Sequence, residues 1–453
     1  MTIDKSLSRR HFITGTFAAS AAAALGLAGC APQGQPVAAT GGNAADAPAP
    51  TEGTADVPAW LGEPPAITDA DCAETIDTEV LVVGAGCSGL VAANFAAMEG
   101  AHTLLIEKFD KGTGLRGSAI GAVGSRKQKE AGVTIDPQEI CNDLAHYSLN
   151  NANMDLYQLW AAHSAEAVDW YCDLTDGVDL CKIDLEWSMP AEETRYKCWP
   201  TGHGAMLDNG KMGKDEASGE GVTYAQIEGN FLAQPTAELR YLTSLECLIK
   251  EGDKVVGAYA STDDGATYLR INASKGVIVA TGGYANNPDM YMALQAENAR
   301  GLCGVVPFGN FNAQGQGIKA CLWAGAVKDE NPTSMVFDRG IMRPDQLPGD
   351  PFAMDFGYFH MATQPFLKVD IEGERITNES SPYDFLIHAL ARKSSQRAWF
   401  DIWDANWPTD IERFHTIGCS GLIKGEGTNQ MDPEGIEGTA AIIEALVEEG
   451  KIV

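Results

Sequence analysis

The sequence predicts an α/β fold built around a buried parallel sheet, and three adjacent features indicate it. Residues 78–83, Thr-Glu-Val-Leu-Val-Val, are a β-branched apolar run typical of a strand that is covered on both faces. The sequence Gly-Ala-Gly-Cys-Ser-Gly follows at 84–89 and leads into a helical stretch that ends near Glu99. A second apolar run at 103–106 ends in Glu107. Strand, glycine turn, helix and strand in this order are the first unit of a doubly wound sheet.

The glycine turn has the spacing GxGxxG, with Gly84, Gly86 and Gly89 at its fixed positions. Glycines there allow a tight turn and let a pyrophosphate approach the backbone, where N–H groups at the helix start face its negative charge. Glu107 follows Gly84 by 23 residues and is placed to accept hydrogen bonds from ribose hydroxyls. The unit predicts a dinucleotide site, although the turn alone does not distinguish FAD from NAD.

Two later segments predict further glycine turns near the first one. Four predicted strands in this region lie at 242–249, 254–260, 269–272 and 276–279. The last strand ends in Ala-Thr-Gly-Gly at 280–283, which brings a second backbone turn toward the dinucleotide. A third glycine turn, within 313–320, opens another helix.

Composition limits the possible functions of the chain. With 453 residues, 45% hydrophobic and 21% charged, the chain is long enough for two or three folded domains. Its formal charge of −30 argues against a nucleic-acid partner or an anionic membrane surface, because those partners require clustered Lys and Arg. The eleven cysteines include no CxxC pair, so the sequence predicts neither a structural zinc site nor a covalently attached haem. No metal site is predicted.

Residues 1–30 predict an export signal. Ser-Arg-Arg-His-Phe-Ile at 8–13 is a twin-arginine pattern, and a small apolar run follows at 14–29. Leu-Ala-Gly-Cys at 27–30 resembles a lipoprotein cleavage box, in which Cys30 takes the lipid. The chain is then extracytoplasmic and held to the membrane only by the lipid anchor. A chance Arg pair before a buried helix, and processing before an ordinary buried cysteine, are the alternatives. Residues 31–75 have the composition of a flexible linker.

A third motif indicates a family. Gly-Glu-Arg-Ile-Thr-Asn-Glu at 373–379 follows an apolar strand at 366–370 and is similar to the sequence G-K-R-F-x-N-E. Together with the turns at 84–89 and 280–283, it makes residues 79–453 resemble the flavoprotein family of fumarate reductases, urocanate reductases and 3-ketosteroid dehydrogenases. The particular resemblance is to its exported, haem-free reductases of anaerobic bacteria.

The resemblance implies a fold and a cofactor. The fold is a Rossmann-like FAD-binding domain at 76–333 with an inserted α+β capping domain at 334–453, and the cofactor is FAD. Members of the family also carry a closing segment with a Gly-Leu-Tyr-Ala-Ala-Gly-Glu-like turn, which has no counterpart before Val453. We therefore expect the chain, and its capping domain, to be C-terminally incomplete.

The resemblance also implies the residues that bind FAD. Leu245 meets the adenine through its backbone, and Gly114, Arg116 and Gly121 lie near the phosphates and the isoalloxazine, although Arg116 is nearly as easily a surface residue. The full implied set is Gly84, Ala85, Gly86, Ser88, Gly89, Glu107, Lys108, Gly114, Arg116, Gly121, Leu245, Thr281, Gly282 and Gln316.

The chemistry implied by the resemblance is hydride transfer between flavin N5 and one carbon of an activated C=C bond, with a proton moving at the neighbouring carbon. Tyr383 stands where fumarate reductases have an arginine acid, and a phenol with a pKa of about 10 can donate a proton at neutral pH. The alternative is that Tyr383 only packs under the flavin. His360 could polarise a substrate carbonyl or be structural, and Arg339 and Arg343 could meet a carboxylate or pair with neighbouring acids.

The residues that grip a dicarboxylate in fumarate reductases have no counterparts in 335–365, so an enone, aryl-acrylate or sterol-like substrate is expected instead of fumarate. Electrons would come from a membrane-associated donor, as a terminal step of anaerobic respiration. A ketosteroid-type dehydrogenase, a flavin-binding fragment without turnover and a binding protein that sequesters flavin or substrate are the alternatives.

Two further expectations concern local structure. The spacing of apolar residues predicts an amphipathic helix over 154–172 that turns Leu156, Leu159, Trp160, His163, Ala167, Val168 and Tyr171 toward the core. His203, between two glycines, is expected in a lid or at the surface.

Overall fold

The chain divides into two units, Met1–Asp56 and Val57–Val453. All residues whose structure is described lie in the second unit. The computed structural model describes residues 57–112, 120–148, 150–175, 182–185, 199–208, 219–296, 300, 313–329, 331, 333, 340–341, 343, 357–358, 361, 364–381, 383–393, 398–411 and 436–453.

The described residues alternate helices and strands. The helices are α1 (Cys87–Met98), α2 (Arg126–Glu130), α3 (Pro137–Tyr147), α4 (Met154–Thr175), α5 (Gly219–Leu232), α6 (Pro288–Leu294), α7 (Gln316–Trp323), α8 (Tyr383–Lys393), α9 (Trp407–Asp410) and α10 (Ile436–Glu448). The strands are β1 (Cys72–Val83), β2 (Thr103–Ile106), β3 (Lys182–Leu185), β4 (His203–Met206), β5 (Ala237–Arg240), β6 (Ser244–Glu251), β7 (Lys254–Thr262), β8 (Thr267–Val279), β9 (Gly340–Ile341), β10 (Gly357–Tyr358), β11 (Leu367–Val369) and β12 (Phe400–Ile402).

Six of these strands form one sheet in the order β5-β2-β1-β8-β7-β6. Strands β5, β2, β1 and β8 are parallel, and the hairpin of β6 and β7 continues the sheet in antiparallel fashion. The predicted α/β fold with a Rossmann-like first unit is confirmed. Because parallel neighbours end at the same edge of a sheet, the turns after β1, β2 and β8 lie together.

Strand β8 is longer than the sequence predicts. We expected two short strands at 269–272 and 276–279, whereas β8 is continuous from Thr267 to Val279. It pairs along the whole of β1, from Cys72 opposite Tyr268 to Val83 opposite Val279, with a register shift near Thr78. The irregularity that looked like a break is therefore a bulge within one strand.

The predicted linker at 31–75 is wrong at its C-terminal end, because β1 already begins at Cys72. The residues before it also make tertiary contacts. Trp60 packs against the cluster that includes Tyr284 and Met290. Asp69 accepts a hydrogen bond from the Tyr259 hydroxyl at 2.7 Å. Small and polar composition predicted a linker, but single aromatic and charged residues hold this segment on the sheet.

Both faces of the sheet are covered, as alternation along its central strands requires. Leu81, Val83, Leu104 and Ile106 pack on one face in a cluster that includes Ala320 of α7. The side chains between them turn the other way. Val82 and Leu105 pack on the opposite face against α1, α4 and α5 in a cluster with Leu90, Val168, Tyr171, Ile227 and Phe231.

Helix α4 is present, but its predicted apolar face is partly wrong. Val168 and Tyr171 are buried as expected, whereas Leu156 and Leu159 are 62% and 53% exposed. The first turns of α4 instead direct Tyr157 and Trp160 into a second cluster with Ile140 of α3. The stripe is rotated because α3, and not the sheet, covers the start of the helix.

The C-terminal part of the described chain has a small core of its own. Met361, Phe366, Trp407, Ile411 and Leu446 form a buried cluster that joins β11, α9 and α10. The pairing of β11 with β12 places Lys368 directly opposite Asp401. The domain boundary at 333 stays a prediction. In the parts of the chain that the structure describes, no helix combines the length and the apolar character that crossing a bilayer demands.

Candidate functional site

The first glycine turn lies between β1 and α1 and contacts the end of β8. Gly84 has a φ of +99°, and a Cβ on it would lie 2.6 Å from the carbonyl oxygen of Ala280. A Cβ on Gly89 would lie 1.8 Å from the carbonyl oxygen of Gly84. Both positions therefore require glycine, one for backbone conformation and close approach, the other so that α1 can pack on the turn.

The start of α1 is open to a ligand. Gly86 is the N-cap residue and has an extended backbone, with φ −79° and ψ −171°. A glycine has no side chain to cap the helix, and the next two residues, Cys87 and Ser88, are exposed. The helix dipole and the backbone N–H groups of the first turn thus face the position expected for the pyrophosphate.

Glu107 holds the first glycine turn through a hydrogen bond. Its side chain is buried, one carboxylate oxygen accepts the backbone N–H of Ala85 at 2.7 Å, and the other accepts the N–H of Phe109 at 3.1 Å. A carboxylate has about four acceptor sites, so two remain for a ribose. Sequence spacing predicted the ribose contact, which stays a prediction. The bond to Ala85 was not predicted.

The second and third glycine turns meet the first. The Ala280 N–H donates to Val83 O at 2.8 Å, and the Gly315 N–H donates to Gly283 O at 3.0 Å. Gly282 is exposed with φ +75°, and a Cβ there would meet no described atom within 4 Å. The space above this turn is therefore open.

Helix α7 packs directly under the second turn. A Cβ on Gly317, in its first turn, would lie 2.1 Å from Thr281 Oγ1, so only glycine fits there. The structure thus brings together the predicted residues Gly84, Thr281, Gly282 and Gln316 at one edge of the sheet.

Gln316 joins this edge to β6. Its side-chain amide donates to the carbonyl oxygen of Leu245 and to Ser244 Oγ, the latter at 3.1 Å. The N–H of Thr243 donates to Glu107 O at 2.8 Å, which ties the same segment to β2. Leu245 is buried, and its predicted backbone contact with adenine stays a prediction.

Lys108 follows Glu107 and is half-buried. Its ammonium lies 5.2 Å from the centroid of the Phe109 ring, a cation–π distance. Burial lowers the pKa of Lys108 below its usual value. A cation at this point of an acidic chain suits an anionic ligand.

The segment around Gly121 rests on a buried histidine that the sequence analysis placed wrongly. His203 was expected in a lid or at the surface, yet it is fully buried. Its Nδ1–H donates to Thr201 O at 2.8 Å, and its Nε2 accepts the Ser125 hydroxyl at 2.8 Å. Trp160 Nε1–H donates to Gly121 O at 2.9 Å. His203 is thus a structural residue whose two ring nitrogens are both used.

Several predicted site residues do not belong to the part of the chain that the structure describes. Gly114, Arg116, Arg339 and His360 lie outside the described residues. Tyr383 is the first residue of α8, and its side chain also lies outside the described part.

The Asn-Glu motif itself is described. Arg375 Nε donates to the Glu379 carboxylate at 2.8 Å. Burial acts to raise the pKa of the Glu379 carboxyl, but the hydrogen bond and charge of Arg375 and backbone hydrogen bonds together hold this pKa below its usual value.

The arrangement fits a dinucleotide. Two glycine turns lie together at one edge of a parallel sheet, and a third, at Gly315, is packed against Met290 and bonded to the second. An uncapped helix start lies beside the first turn, and a buried carboxylate follows the second strand. No bulky side chain of the described residues occupies the cradle beside Gly84 and Gly282. Fold and site together define a dinucleotide-binding protein of the Rossmann type.

Comparison with known proteins agrees with a dinucleotide-binding site. The family described as FAD binding domain matches residues 79–445, and the chain belongs to this family. FAD is therefore its cofactor, and the resemblance to the fumarate reductase and ketosteroid dehydrogenase flavoproteins is confirmed.

Two relatives give the resemblance its detail. Vinyl phenol reductase of Lactiplantibacillus plantarum is 25% identical over 309 residues, which are 68% of this chain and 57% of that protein. Fumarate reductase (cytochrome) of Shewanella frigidimarina is 24% identical over 393 residues, 83% of this chain and 62% of that protein. The match thus spans less than two thirds of the length of either relative.

A solved structure shares the fold. The 3-ketosteroid-Δ4-(5α)-dehydrogenase of Rhodococcus jostii RHA1 superposes with a TM-score of 0.56 and 18% identity. The superposition covers 86% of this chain and 80% of that one.

Proposed function

We propose that the chain is an FAD-dependent oxidoreductase that reduces an activated C=C bond of a small unsaturated molecule. The observation that carries the proposal is the contact of the turn at Gly84 with the turn at Ala280–Gly283 beside the uncapped start of α1. The similarity to vinyl phenol reductase supports the direction and the type of reaction.

The residues of the chain have distinct parts in this reaction. When bound and reduced by the electron donor, the flavin would supply the hydride and become oxidised FAD. Glu107 keeps the first turn in place through the Ala85 N–H, and Gln316 fixes the backbone at Leu245. Tyr383 donates the proton to the second carbon, since a phenol is protonated at neutral pH. His360 polarises the activating group of the substrate.

The proposed substrate is an aryl-conjugated alkene or an enone, and not fumarate. The segment 355–361 is Asp-Phe-Gly-Tyr-Phe-His-Met, whose aromatic side chains suit a flat substrate. Tyr383 carries no positive charge, so it would not attract a dicarboxylate as an arginine acid would. The relative named for a vinyl phenol is consistent with this class.

The proposal includes a place for the protein in the cell. Arg9 and Arg10 direct export by the twin-arginine route, and a lipid on Cys30 holds the protein outside the cytoplasmic membrane. A membrane-associated donor supplies electrons to the flavin, as the last step of an anaerobic respiratory chain. Cell fractionation tests the anchor: Cys30→Ser should move the protein from the membrane to the soluble extracytoplasmic fraction, whereas Cys72→Ser should not.

Anaerobic reoxidation of the flavin tests the reaction. The full chain is loaded with FAD, reduced with light, and mixed with a vinyl phenol, a conjugated enone or fumarate. We expect the absorbance of oxidised flavin to return with the first or second compound and not with fumarate. Return with fumarate alone would contradict the substrate class, and return with none of them would contradict the reductase.

A dehydrogenase is the second candidate, because the fold matches a ketosteroid dehydrogenase over 86% of this chain. The two functions differ in direction. A saturated ketosteroid should bleach the oxidised flavin of a dehydrogenase, and we expect it to leave this protein unchanged.

A further inference from the structure

Two tyrosines and a glutamate form a polar chain beneath the first glycine turn. Tyr224, on α5, is buried, and its hydroxyl donates to Ala85 O at 3.0 Å. Tyr241, just after β5, donates to Glu228 Oε2 at 2.7 Å. Tyr241 also lies close to the Tyr224 phenol and to the backbone of Gly112.

The tyrosine pair, Tyr224 and Tyr241, contacts the backbone near the first glycine turn at two residues. One is Ala85, inside the GxGxxG turn. The other is Gly112, where a Cβ would lie 1.4 Å from Tyr224 Oη and 2.9 Å from Ala85 O. The backbone thus passes against the phenol at Gly112 and continues into 113–119, which contains the predicted phosphate contacts Gly114 and Arg116.

The hydroxyl groups are not needed for packing. Tyr224 shares its cluster with Ile227 and Phe231 of the same helix, where apolar side chains fill the space without polar atoms. A phenylalanine would fill nearly the same volume as either tyrosine. Burying a hydroxyl costs free energy unless it finds a partner. Here the partner of Tyr224 is the Ala85 carbonyl of the turn, and the partner of Tyr241 is the Glu228 carboxylate.

We propose that Tyr224 and Tyr241 are positioning residues for FAD, which fix Ala85 and Gly112 so that the backbone around the pyrophosphate is formed before the cofactor binds. A preorganised site binds more tightly because less chain entropy is lost on binding. Glu228 orients the pair by accepting the Tyr241 hydroxyl. The proposal rests on FAD being the cofactor, and it adds residues that the glycine motif does not contain.

The test compares three variants of the full chain: Tyr224→Phe, Tyr241→Phe and the control Tyr259→Phe. Tyr259 also donates to a carboxylate, Asp69, at 2.7 Å, but lies on β7 opposite Arg270, at the end of β8 away from the glycine turns. FAD release is followed by the rise of flavin fluorescence on dilution, and visible circular dichroism reports the environment of the bound flavin. Melting of each flavin-free protein reports the fold.

We expect the Kd for FAD to rise roughly 5- to 30-fold in Tyr224→Phe and Tyr241→Phe, as the loss of one hydrogen bond predicts. Their flavin dichroism should change, while flavin-free Tm falls no more than in Tyr259→Phe. Because Tyr241 is only half-buried, its variant decides the question if Tyr224→Phe does not fold.

A Kd within twofold of the unmodified protein in the folded variants would overturn the proposal. A rise in Kd matched by Tyr259→Phe at equal loss of Tm would also overturn it, since that result indicates general destabilisation. If the unmodified chain binds no FAD, the cofactor assignment itself fails. If the unmodified chain binds FAD and the variants bind it equally well, only the role of the two tyrosines fails.

Discussion

The carboxylate of Glu107 accepts the backbone N–H of Ala85 at 2.7 Å and so joins the end of β2 to the glycine turn after β1. Its other oxygen accepts the N–H of Phe109 at 3.1 Å. The residue predicted to bind the ribose is therefore also part of the turn that receives the pyrophosphate. We therefore expect cofactor affinity and local stability to be coupled through this one side chain.

Replacing Glu107 by Gln should lower both the affinity for FAD and the stability of the fold. Each carboxylate oxygen faces an N–H donor, so the amide nitrogen of Gln would place a donor against a donor. We expect a loss of about 2 kcal/mol in the free energy of unfolding, in the range for a hydrogen bond to a charged group, and weaker FAD binding. Urea denaturation and FAD titration measure the two effects. The matched control is Glu246→Gln, whose carboxylate accepts the Ser261 hydroxyl at 2.6 Å on the antiparallel part of the sheet; equal loss of FAD affinity there would contradict the coupling.

Gly84→Ala should abolish FAD binding at micromolar cofactor. The added Cβ meets Ala280 O at 2.6 Å, and the φ of +99° is strained for any other residue. Gly252→Ala is the control, because Gly252 also has a positive φ, +61°, but a Cβ there meets no described atom within 4 Å. The control should lose about 1 kcal/mol of stability and keep its FAD. Flavin content after gel filtration is the measurement, and a yellow Gly84→Ala protein would disprove the role of the turn.

The pair of Lys368 and Asp401 should show the cost of an uncompensated buried charge. Lys368 is 1% exposed, and its ammonium lies 2.6 Å from an Asp401 oxygen. Lys368→Met alone should cost about 3–5 kcal/mol, because it leaves a buried carboxylate without its partner. The double variant with Asp401→Leu should regain most of that loss. Chemical denaturation of the unmodified protein, of Lys368→Met and Asp401→Leu singly, and of the double variant gives the coupling. Additive losses would show that the two charges do not depend on each other.

Stability at high pH should depend on Tyr241. Burial and the hydrogen bond to Glu228 raise the pKa of Tyr241 to about 12, above the usual value of about 10. Between these values the folded protein keeps a proton that the unfolded chain has lost. The contribution is therefore complete below about pH 10 and is lost as the pH rises toward about 12. Free energies of unfolding across this range should fall less steeply for Tyr241→Phe than for the unmodified protein, and parallel curves would exclude the shift.

Local parts of the fold were predictable from the sequence. The strand, turn and helix at 78–99 are set by neighbouring residues, and β-branched residues and glycines at fixed spacing leave few alternatives. The same holds for the turn at 280–283. Both turns lie where the parallel topology brings strand ends together, so the sequence also predicted which glycines would meet.

Contacts between distant parts of the chain were not predictable. Tyr224 and Ala85 are 139 residues apart, and no periodicity marks a helix tyrosine that bonds to a turn. His203 lies between glycines, which suggested an exposed loop, yet it is buried and bonded to Ser125 and Thr201. The face of α4 was misassigned because α3, which covers its start, is invisible to the pattern of α4 alone. Each error concerns a contact with a residue or helix that is distant in sequence and that the local pattern cannot predict.

Tyr383 is the proposed proton donor of the reaction. The most direct measurement is the rate at which a vinyl phenol reoxidises the light-reduced flavin of the full chain, compared with that of Tyr383→Phe. We expect reoxidation by the unmodified protein and a rate at least about 100-fold lower in the variant, which should still bind FAD, in keeping with the usual effect of a general acid. A chain that binds no FAD would contradict the cofactor assignment, and equal rates in the two proteins would contradict the role of Tyr383 as proton donor.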